Sequence, residues 1–553
     1  MTTFSRLCDT ADRLDSNPGF LVSVGLISVL LQDLEKEEIY PAIRFLLNEP
    51  IPIWSQGYPP LNVKKLVDTV CDKSVLSKKS FLRFVDQTHD LAEVIAIALK
   101  NRRDKSPNVC PTKMTVVEAY TIIRRLLERS NYKVDQSTDQ LEYLFDVLSP
   151  NEVKHFVRNL LLERRPQSYE EILEKSISQL SSIELSEISR KNALVNDVAL
   201  VGQVALSGER EDFSRLSLEI LRPIKPMTAI TAQSIEETNK EYSGFVSYEF
   251  KPDGIRVQIH KLGNQVRFFD RKLHDISHLL PVLTRTIVEN VKAKNAVLEG
   301  ELVCRDDRGE LRPYSVLIGE LRSREIGGNS TLRTPIDLEL FEVLHLDGQD
   351  MMDTVYTSRR KMLLEISGRI KIIQQIRTDD PAKAESFYND AIKSGYEGLL
   401  AKHLFSIYLP GVRTKFWAKI KESLKNLDLV IMFVHPDPND SDRSESYLLG
   451  SRDLRTNQLV PITKCGEGLS EDERKWLDRK LEKVTLDRTD KGWFVLPGVV
   501  LEVSFEDINK DTSFPGGYWL DAPRAIRVRV DKSLREIDSL QWIERLAEEK
   551  NDS

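Results

Sequence analysis

Apolar residues along the first 222 positions recur at helical spacing. In the segment 20–34 they fall three or four residues apart, the period of one helix face. Thr115 is followed three residues later by Glu118, a pairing typical of the capping box at a helix start. This region is therefore predicted to be all-α, and it shows no catalytic residue pattern of its own.

Alternation with a period of two replaces the helical pattern from about residue 223. In the run 245–251 the apolar residues face one way, while Glu249 and Lys251 share the other face. An Asp-Gly turn and two further alternating runs follow. The pattern predicts a three-stranded meander over 245–271, and its polar face would carry Glu249, Lys251, Arg256 and Arg271. On this stretch alone, a solvated face with Lys251 paired to Glu249 explains the pattern as well as a nucleophile does.

The last part of the chain, 425–553, contains several short apolar strands and one helical segment, 471–486. Such a mixture suits a small β-barrel of the OB-fold type. The Pro-, Asp- and Ser-rich segment 435–446 is expected to be an irregular loop. We therefore divide the chain into a helical region 1–222, a mixed α+β region 223–424 and a β-barrel 425–553.

Composition narrows the class of protein. The chain has 553 residues, of which 41% are apolar and 30% charged, as in ordinary globular proteins. Five scattered cysteines without metal-ligand spacing indicate a reducing compartment. The apolar run 20–31 is too short to span a bilayer and lacks the features of a signal peptide. We expect a cytoplasmic protein, or a nuclear one if the source is eukaryotic, with no membrane partner.

The net charge of −7 argues mildly against a uniform coat of basic residues for nucleic acid, although phosphate binding depends on local patches. Three basic patches stand out, at 100–105, 124–129 and 163–168. Each patch is more often a solvated helix end than a DNA contact.

Charged residues recur in short predicted strands downstream of Lys251, and this order carries more information than any one of them. The residues are Glu299 and Glu301 in 297–304, Phe341 in 337–348, Glu397 and Lys402 in 395–404, Arg413, Lys419 and Lys421 in 408–422, and Arg527, Arg529 and Asp531 in 523–533.

Together these segments resemble the six collinear motifs of the covalent nucleotidyltransferases, the superfamily of ATP-dependent DNA ligases, RNA ligases and mRNA capping enzymes. Lys251-Pro252-Asp253-Gly254 matches the motif Lys-x-Asp-Gly. The later matches, in order, are Arg271, Glu301, Phe341, Glu397, Lys419 with Lys421, and the segment "RVRVDK". The segments "ILRPIKPMTAITAQSIEE" and "KCGEGLS" extend the likeness to DNA ligases of the archaeal and eukaryotic replicative type, over nearly the whole chain.

The resemblance implies three domains: an all-α DNA-binding domain at 1–222, an α+β adenylation domain at 223–424 and an OB-fold at 425–553. It implies sealing of nicks in duplex DNA in three transfers. A lysine attacks the α-phosphorus of ATP, AMP passes to the 5′-phosphate of the nick, and the 3′-hydroxyl displaces AMP. It also implies a monomer and leaves binding to a sliding clamp open.

The resemblance assigns roles by position, with Lys251 as the nucleophile. Phe341 would stack on adenine and Glu249 would accept a hydrogen bond from its exocyclic amine, while Arg256 and Glu301 would hold the ribose. The remaining nucleotide-binding residues would be Arg271, Glu397, Arg413, Lys419 and Lys421. Mg²⁺ is expected on the phosphates, with Glu301 and Glu397 as carboxylate or water-mediated ligands.

Lys251 must be neutral to attack. At an ordinary pKa of ~10.4 only about one lysine in 2,500 is neutral at pH 7. For half of the molecules to be neutral, the pKa of Lys251 must fall by roughly 3.4 units, which corresponds to a free energy of ~4.6 kcal/mol. Neighbouring cations and partial burial act in that direction.

The sequence departs from the family pattern at four places: Pro252 and Asp270, the pair Asp521-Ala522 before the last motif, and the loop 435–446. Two alternatives therefore stay open. One is an RNA ligase or capping-type enzyme, which would not need some 220 helical residues ahead of the lysine. The other is a nick-binding scaffold that has lost catalysis.

Overall fold

The computed structural model describes the chain except for residues 17–18, 56–62, 89, 101–112, 130–133, 166, 209, 233, 326–333, 422–425, 438–439, 490–491, 506, 511–513 and 550–553. The chain forms two compact units. One contains residues 1–51, 57–181 and 424–553, and the other contains 52–56 and 182–423.

Helices make up the described N-terminal region, which confirms the prediction of a helical segment. Their bounds are α1 Phe4–Asp15, α2 Phe20–Gln32, α3 Lys36–Leu46, α4 Val63–Lys73, α5 Lys78–Thr88, α6 Leu91–Lys100, α7 Val116–Arg129, α8 Val134–Val147, α9 Pro150–Leu160, α10 Gln167–Ser181, α11 Leu185–Val195, α12 Val198–Leu206 and α13 Arg210–Arg215.

The capping box predicted at the start of α7 is present. The Glu118 backbone N–H donates to Thr115 Oγ1 (3.2 Å), and the Thr115 backbone N–H donates to Glu118 Oε2 (2.8 Å). These bonds satisfy backbone donors that a helix start otherwise leaves unpaired.

The basic patches of this region differ in their surroundings: Arg124 and Arg125 are exposed on α7, and the Arg124 guanidinium lies 5.9 Å from the Tyr120 ring centroid. Residues 101–105 and the side chain of Arg129 lie outside the described part of the chain. Arg164 pairs with Glu49 (3.3 Å), and Arg165 is buried against Asp15. In this structure the two arginines therefore bind protein carboxylates.

Strands and helices are mixed in the central region. The elements are β1 Thr228–Thr231, α14 Ile235–Tyr242, β2 Val246–Lys251, β3 Ile255–Leu262, β4 Gln265–Asp270, a 3₁₀ turn Ser277–Leu279, α15 Pro281–Asn290, β5 Asn295–Cys304, α16 Tyr314–Glu325, β6 Ile336–Leu346, β7 Gln349–Asp350, α17 Tyr356–Ile366, β8 Lys371–Ile372, β9 Gln375–Thr378, α18 Pro381–Lys393, β10 Gly398–His403 and β11 Arg413–Lys421.

The strands of this unit form two sheets, so the predicted three-stranded meander over 245–271 is wrong for β2, although β3 and β4 pair antiparallel as predicted. The first sheet has the order β1-β11-β10-β2-β9, and the second has the order β4-β3-β5-β6-β7 with β8 on β6. Strands β2 and β3 thus belong to different sheets, and the turn 252–254 carries the chain from one sheet to the other. Alternation within each strand was read correctly, but it does not say which strand becomes the hydrogen-bonded neighbour.

Registry brings the charged positions of distant segments together. Lys251 lies opposite Gly398 across β2 and β10, and Arg256 lies opposite Glu301 across β3 and β5. The first sheet contributes residues, among them Tyr248, to a buried apolar core.

The C-terminal region also mixes strands with helices. Its elements are β12 Asn426–Asp437, β13 Asp440–Asp453, β14 Gln458–Cys465, α19 Glu471–Lys483, β15 Thr485–Thr489, β16 Gly492–Val495, β17 Val500–Ser504, β18 Asp507–Lys510, β19 Tyr518–Asp521, β20 Arg524–Val528 and α20 Leu540–Glu549.

A seven-stranded sheet dominates this region, in the order β14-β13-β12-β16-β15, and β17 joins β12 to β20. Among the described residues the pairing does not close into a ring. The predicted irregular loop 435–446 is wrong, because β12 and β13 pair through His435 and Ser446 as far as Asp437 and Asp440.

Among the described residues, none of the helices combines the length and apolar character that crossing a membrane requires.

Candidate active site

Lys251 is the last residue of β2, at the point where the chain leaves the first sheet. Its ammonium forms an ion pair with the Glu397 carboxylate, and the Glu397 backbone N–H donates to the Lys251 carbonyl (2.8 Å). Both side chains are 22% exposed. The partner of Lys251 is therefore Glu397 and not Glu249, which corrects the simplest interpretation of the strand. The registry of β2 and β10 causes this pairing.

Gly254 is required because the chain passes very close to β5 as it crosses between the sheets. A Cβ atom at this position would lie 2.2 Å from the Leu302 carbonyl oxygen and 2.8 Å from Glu301 Cγ. The glycine of the Lys-x-Asp-Gly motif thus permits a backbone contact that no other residue allows. The same contact keeps Glu301 next to the crossover that carries Lys251.

We predict that Gly254→Ala displaces this crossover. Overpacking against a backbone carbonyl should cost about 1–3 kcal/mol of folding stability. It should also lower covalent labelling of Lys251 by ATP, and by more than this loss of stability alone would explain. Thermal unfolding and covalent labelling by ATP measure the two effects. Gly319→Ala is the matched control, because it lies in α16 with open space around its Cβ position and should be neutral or slightly stabilising. Normal labelling of Gly254→Ala would contradict the steric argument.

Arg256 is fixed by a buried network on the second sheet. Its guanidinium donates to both Glu299 carboxylate oxygens (2.8 and 2.9 Å) and to the Met227 carbonyl (2.9 Å). The Tyr408 hydroxyl also donates to Glu299 (3.1 Å). Desolvation lowers the pKa of Arg256, but the charge and hydrogen bond of Glu299, together with Tyr408 and Glu301, outweigh it and the net shift is upward. Arg256 therefore presents a permanent, oriented cation beside Glu301.

Glu301 holds a carboxyl group whose charge is disfavoured. Its pKa is raised to about 7: burial is the largest cause, the cations Lys251 and Arg256 act in the opposite direction, and Glu397 and Asp253 contribute to the rise. The carboxyl groups of Glu301, Glu397 and Asp253 thus share the crossover with the Lys251 ammonium. Arg256 offsets little of their charge, because Glu299 already balances it.

The raised pKa of Glu301 predicts a pH dependence of stability. Between about pH 4.5 and about pH 7 the folded protein holds a proton that the unfolded chain releases, so stability falls as pH rises through this window. Glu301→Gln cannot ionise and should avoid a loss of about 1–3 kcal/mol. Thermal midpoints from pH 4.5 to 8 should therefore slope downward more steeply in the wild type than in Glu301→Gln. Parallel slopes would contradict the assignment of the shift to Glu301.

Glu249 lies behind this crossover, buried among protein partners. Its carboxylate accepts hydrogen bonds from the Tyr356 hydroxyl and from Arg360 (3.2 Å), and it pairs with Lys402 (2.7 Å). The sequence gives Lys402 no role in the site, because in a regular strand it would lie on the opposite face from Glu397. The signal that could have found it was a lysine inside the apolar run "GLLAKH".

Phe341 is on β6, between two cations. Its side chain is 6% exposed, and its ring centroid lies 5.4 Å from Arg256 Cζ and 5.2 Å from Lys402 Nζ. Trp417 of the other sheet contacts the ring edge-on, with centroids 6.3 Å apart. The aromatic position that the motif singles out therefore lies where the two sheets meet.

The remaining predicted residues of this site are not all brought together. Lys419 is partly buried near the end of β11, two strands from β2, since Leu400 of β10 pairs with both Lys419 and Glu249. The backbone of Lys421 pairs with Gly398, but its side chain lies outside the described residues. Arg413 is exposed at the other end of β11, six residues or about 20 Å from Lys419. Arg271 is partly buried directly after β4.

The segment "RVRVDK" in the C-terminal region holds its cations in ion pairs. Arg529 pairs with Asp531 (2.7 Å), Asp428 (3.2 Å) and Glu502 (3.3 Å). Lys532 shares the Asp428 carboxylate. All these side chains are at most one fifth exposed, so the segment is part of a largely buried charge network rather than a solvated edge.

Comparison with known proteins gives matches along most of the chain. The family models described as DNA ligase N terminus, ATP dependent DNA ligase domain and ATP dependent DNA ligase C terminal region match residues 3–178, 226–421 and 440–532. A DNA ligase of Thermococcus fumicolans is 30% identical over 552 residues, which are 98% of each chain. DNA ligase 2 of Methanosarcina acetivorans is 30% identical over 563 residues, 99% of each chain.

Among solved structures, a mycobacterial DNA ligase D complexed with ATP and MES is 24% identical and matches 57% of this chain and 98% of its own, with a TM-score of 0.40. That likeness is too distant to support a statement about this chain.

Proposed function

The chain belongs to the ATP-dependent DNA ligase family, and we propose that it seals nicks in duplex DNA through an AMP carried on Lys251. The observation that carries the proposal is the placement of Lys251 at the crossover between two sheets, with Glu397, Glu301 and Arg256 around it. The fold thus brings together motif residues that are spread over almost 150 positions of the sequence.

The proposed reaction has three transfers, and Lys251 acts in the first. Its neutral amine attacks the α-phosphorus of ATP, a phosphoramide bond forms, and pyrophosphate leaves. AMP then passes to the 5′-phosphate of the nick, and finally the 3′-hydroxyl attacks that phosphate and AMP leaves. Because the Lys251 ammonium is paired with Glu397 in this structure, that ion pair must separate before the amine attacks.

Buried hydrogen-bond donors support nucleotide binding between the sheets. Arg256 Nε and Trp417 Nε1 are buried N–H groups for which the described residues supply no acceptor. Such donors are costly to leave unpaired, and a bound nucleotide offers acceptors. We propose the base at Phe341 and Glu249, the ribose at Arg256 and Glu301, and the phosphates at Lys419 and Lys421, with Arg271, Glu397 and Arg413 as further nucleotide-binding residues.

The carboxylates at the crossover also fit a magnesium ion. Glu301 and Glu397 offer hard oxygen ligands, and the repulsion between them adds to the rise in the pKa of Glu301 that burial causes. A divalent cation would relieve that repulsion. When bound, Mg²⁺ supplies positive charge that offsets the phosphates. Of the chain's own residues, Glu301 and Glu397 would hold it, while Lys251 would be left free to attack.

We propose the same domain roles as the sequence suggests. Residues 1–222 would grip DNA, 223–424 would carry adenylation and 425–553 would form an OB-fold, in keeping with three consecutive family matches. A monomeric state, a sliding clamp as partner and a cytoplasmic location remain predictions.

A nick-sealing assay tests the proposal. The full-length protein is incubated with a nicked duplex carrying a labelled 5′-phosphate, Mg²⁺ and ATP, and we expect a sealed strand. Parallel reactions with GTP and with a nicked RNA substrate separate the alternatives, because a capping-type enzyme would accept GTP and an RNA ligase would prefer RNA. Binding of the nick without any sealing would instead support the scaffold.

A further inference from the structure

Lys402 is a buried cation for which the proposed mechanism has no role. Its side chain is fully buried, and its ammonium pairs with Glu249 (2.7 Å) and donates to the Phe341 carbonyl (3.3 Å). The same ammonium lies 4.5 Å from the Trp417 ring centroid and 4.9 Å from that of Tyr356. A charge at such a position is unfavourable unless it is closely compensated, because burial removes its hydration.

The contacts of Lys402 reach both sheets. Glu249 on β2 and Trp417 on β11 belong to the first sheet, whereas Phe341 on β6 belongs to the second. Lys402 thus links the two sheets and holds the carbonyl and the ring of Phe341 at a fixed position relative to Glu249. An apolar side chain of similar size would fill the volume without this directional hold, since dispersion contacts are not directional.

Lys402 lies some distance from Lys251 along the paired strands β10 and β2. Lys402 lies opposite Ser247, whereas Gly398 lies opposite Lys251. Four residues of strand correspond to about 13 Å. A change at Lys402 should therefore reach Phe341 and Glu249 directly and the Lys251–Glu397 pair much less.

We propose that Lys402 is a positioning residue for the base of the nucleotide: it fixes Phe341 and Glu249 and so determines how strongly adenine is preferred over guanine. The inference rests on the proposed function, since it concerns the nucleotide of the first transfer. In this proposal the buried Lys402 ammonium affects base binding and the choice between ATP and GTP, whereas Lys251 and its neighbours act on the phosphates.

Lys402→Met tests the proposal because it keeps the length of the side chain and removes the charge. Single-turnover self-adenylation is measured over a range of ATP and GTP concentrations. We expect the half-saturating ATP concentration to rise about 10-fold and the ATP-over-GTP preference to fall about 10-fold, since one lost charged contact changes discrimination on this order. The maximal rate at saturating ATP should stay within about 3-fold of the wild type.

Lys261→Met is the matched control for a purely structural role. Lys261 is also a buried lysine of this unit, and its ammonium donates to the carbonyls of Val291 (2.8 Å) and Ala293 (2.6 Å). Its loss should lower the thermal midpoint without changing the ATP-over-GTP preference. Lys402→Arg keeps the charge and should recover part of the preference. If Lys402→Met does not fold, Lys402→Gln provides the same comparison with a neutral hydrogen-bond donor.

The inference is overturned if the Lys402 variants keep the wild-type half-saturating ATP concentration and preference, whatever their stability. An equal fall of the preference in Lys261→Met would also overturn it, because the effect would then follow destabilisation alone. Failure of the wild type to become labelled by ATP is a separate outcome, which would reject the proposed function itself.

Discussion

Lys251→Ala should lose covalent labelling by α-labelled ATP by a factor on the order of 10⁴ or more, because removing a nucleophile eliminates the covalent route and not just a stabilising contact. Sealing of an ordinary nick should be lost with it. A nick that already carries AMP on its 5′-phosphate should still be sealed, because the last transfer uses the DNA 3′-hydroxyl and needs no amine at Lys251. The label on the wild type should be acid-labile, as expected for a phosphoramide.

Lys415→Ala is the matched control for this experiment. Lys415 lies on β11, and its exposed side chain pairs with Glu241 (3.1 Å) at the surface. Its loss should leave labelling near the wild-type level. Label retained on Lys251→Ala would refute the assignment of the nucleophile, and failure of this variant on pre-adenylated DNA would show that Lys251 also acts in the last transfer.

Arg529→Ala should be the most destabilising change in the C-terminal region. The guanidinium is 12% exposed and neutralises Asp428, Glu502 and Asp531, which are 10%, 12% and 17% exposed. Its removal leaves partly buried carboxylates in excess, and breaking a buried pair from one side typically costs about 3–5 kcal/mol. Desolvation opposes the charge of Arg529, but these carboxylates outweigh it, so its net pKa shift is upward. The thermal midpoint of the full-length protein measures the loss.

Arg524→Ala is the comparison, because Arg524 begins strand β20, which ends one residue before Arg529, and pairs with Glu467 at 3.1 Å, with the two side chains 69% and 73% exposed. An exposed pair of this kind contributes only about 0–1 kcal/mol. Equal effects of the two substitutions would show that the Arg529 network is screened by solvent and adds no stability.

Some features of the molecule were within reach of the sequence because they depend on neighbours along the chain. The capping box at Thr115 and Glu118 needs residues three apart, and the alternation in 245–251 needs only the period of a strand. The motif order around Lys251 also identified the family, since it depends on residue types and their sequence.

Other features depend on which distant strands pair. The sequence placed Glu249 beside Lys251, whereas the registry of β2 with β10 makes Glu397 the partner and leaves Glu249 to Lys402. Alternation shows that residues share a face, but it does not show which strand covers that face.

The sequence by itself determined the family of this chain, through a lysine in a Lys-x-Asp-Gly turn followed in order by the other family motifs, and it predicted that this lysine is the nucleophile. Only the tertiary structure decided that the turn connects two sheets, that Gly254 lies against the Leu302 carbonyl, and that the "RVRVDK" cations are held by Asp428 and Glu502. The physical reason is that charge compensation and close backbone contact arise between segments tens to hundreds of residues apart, and no local period records them.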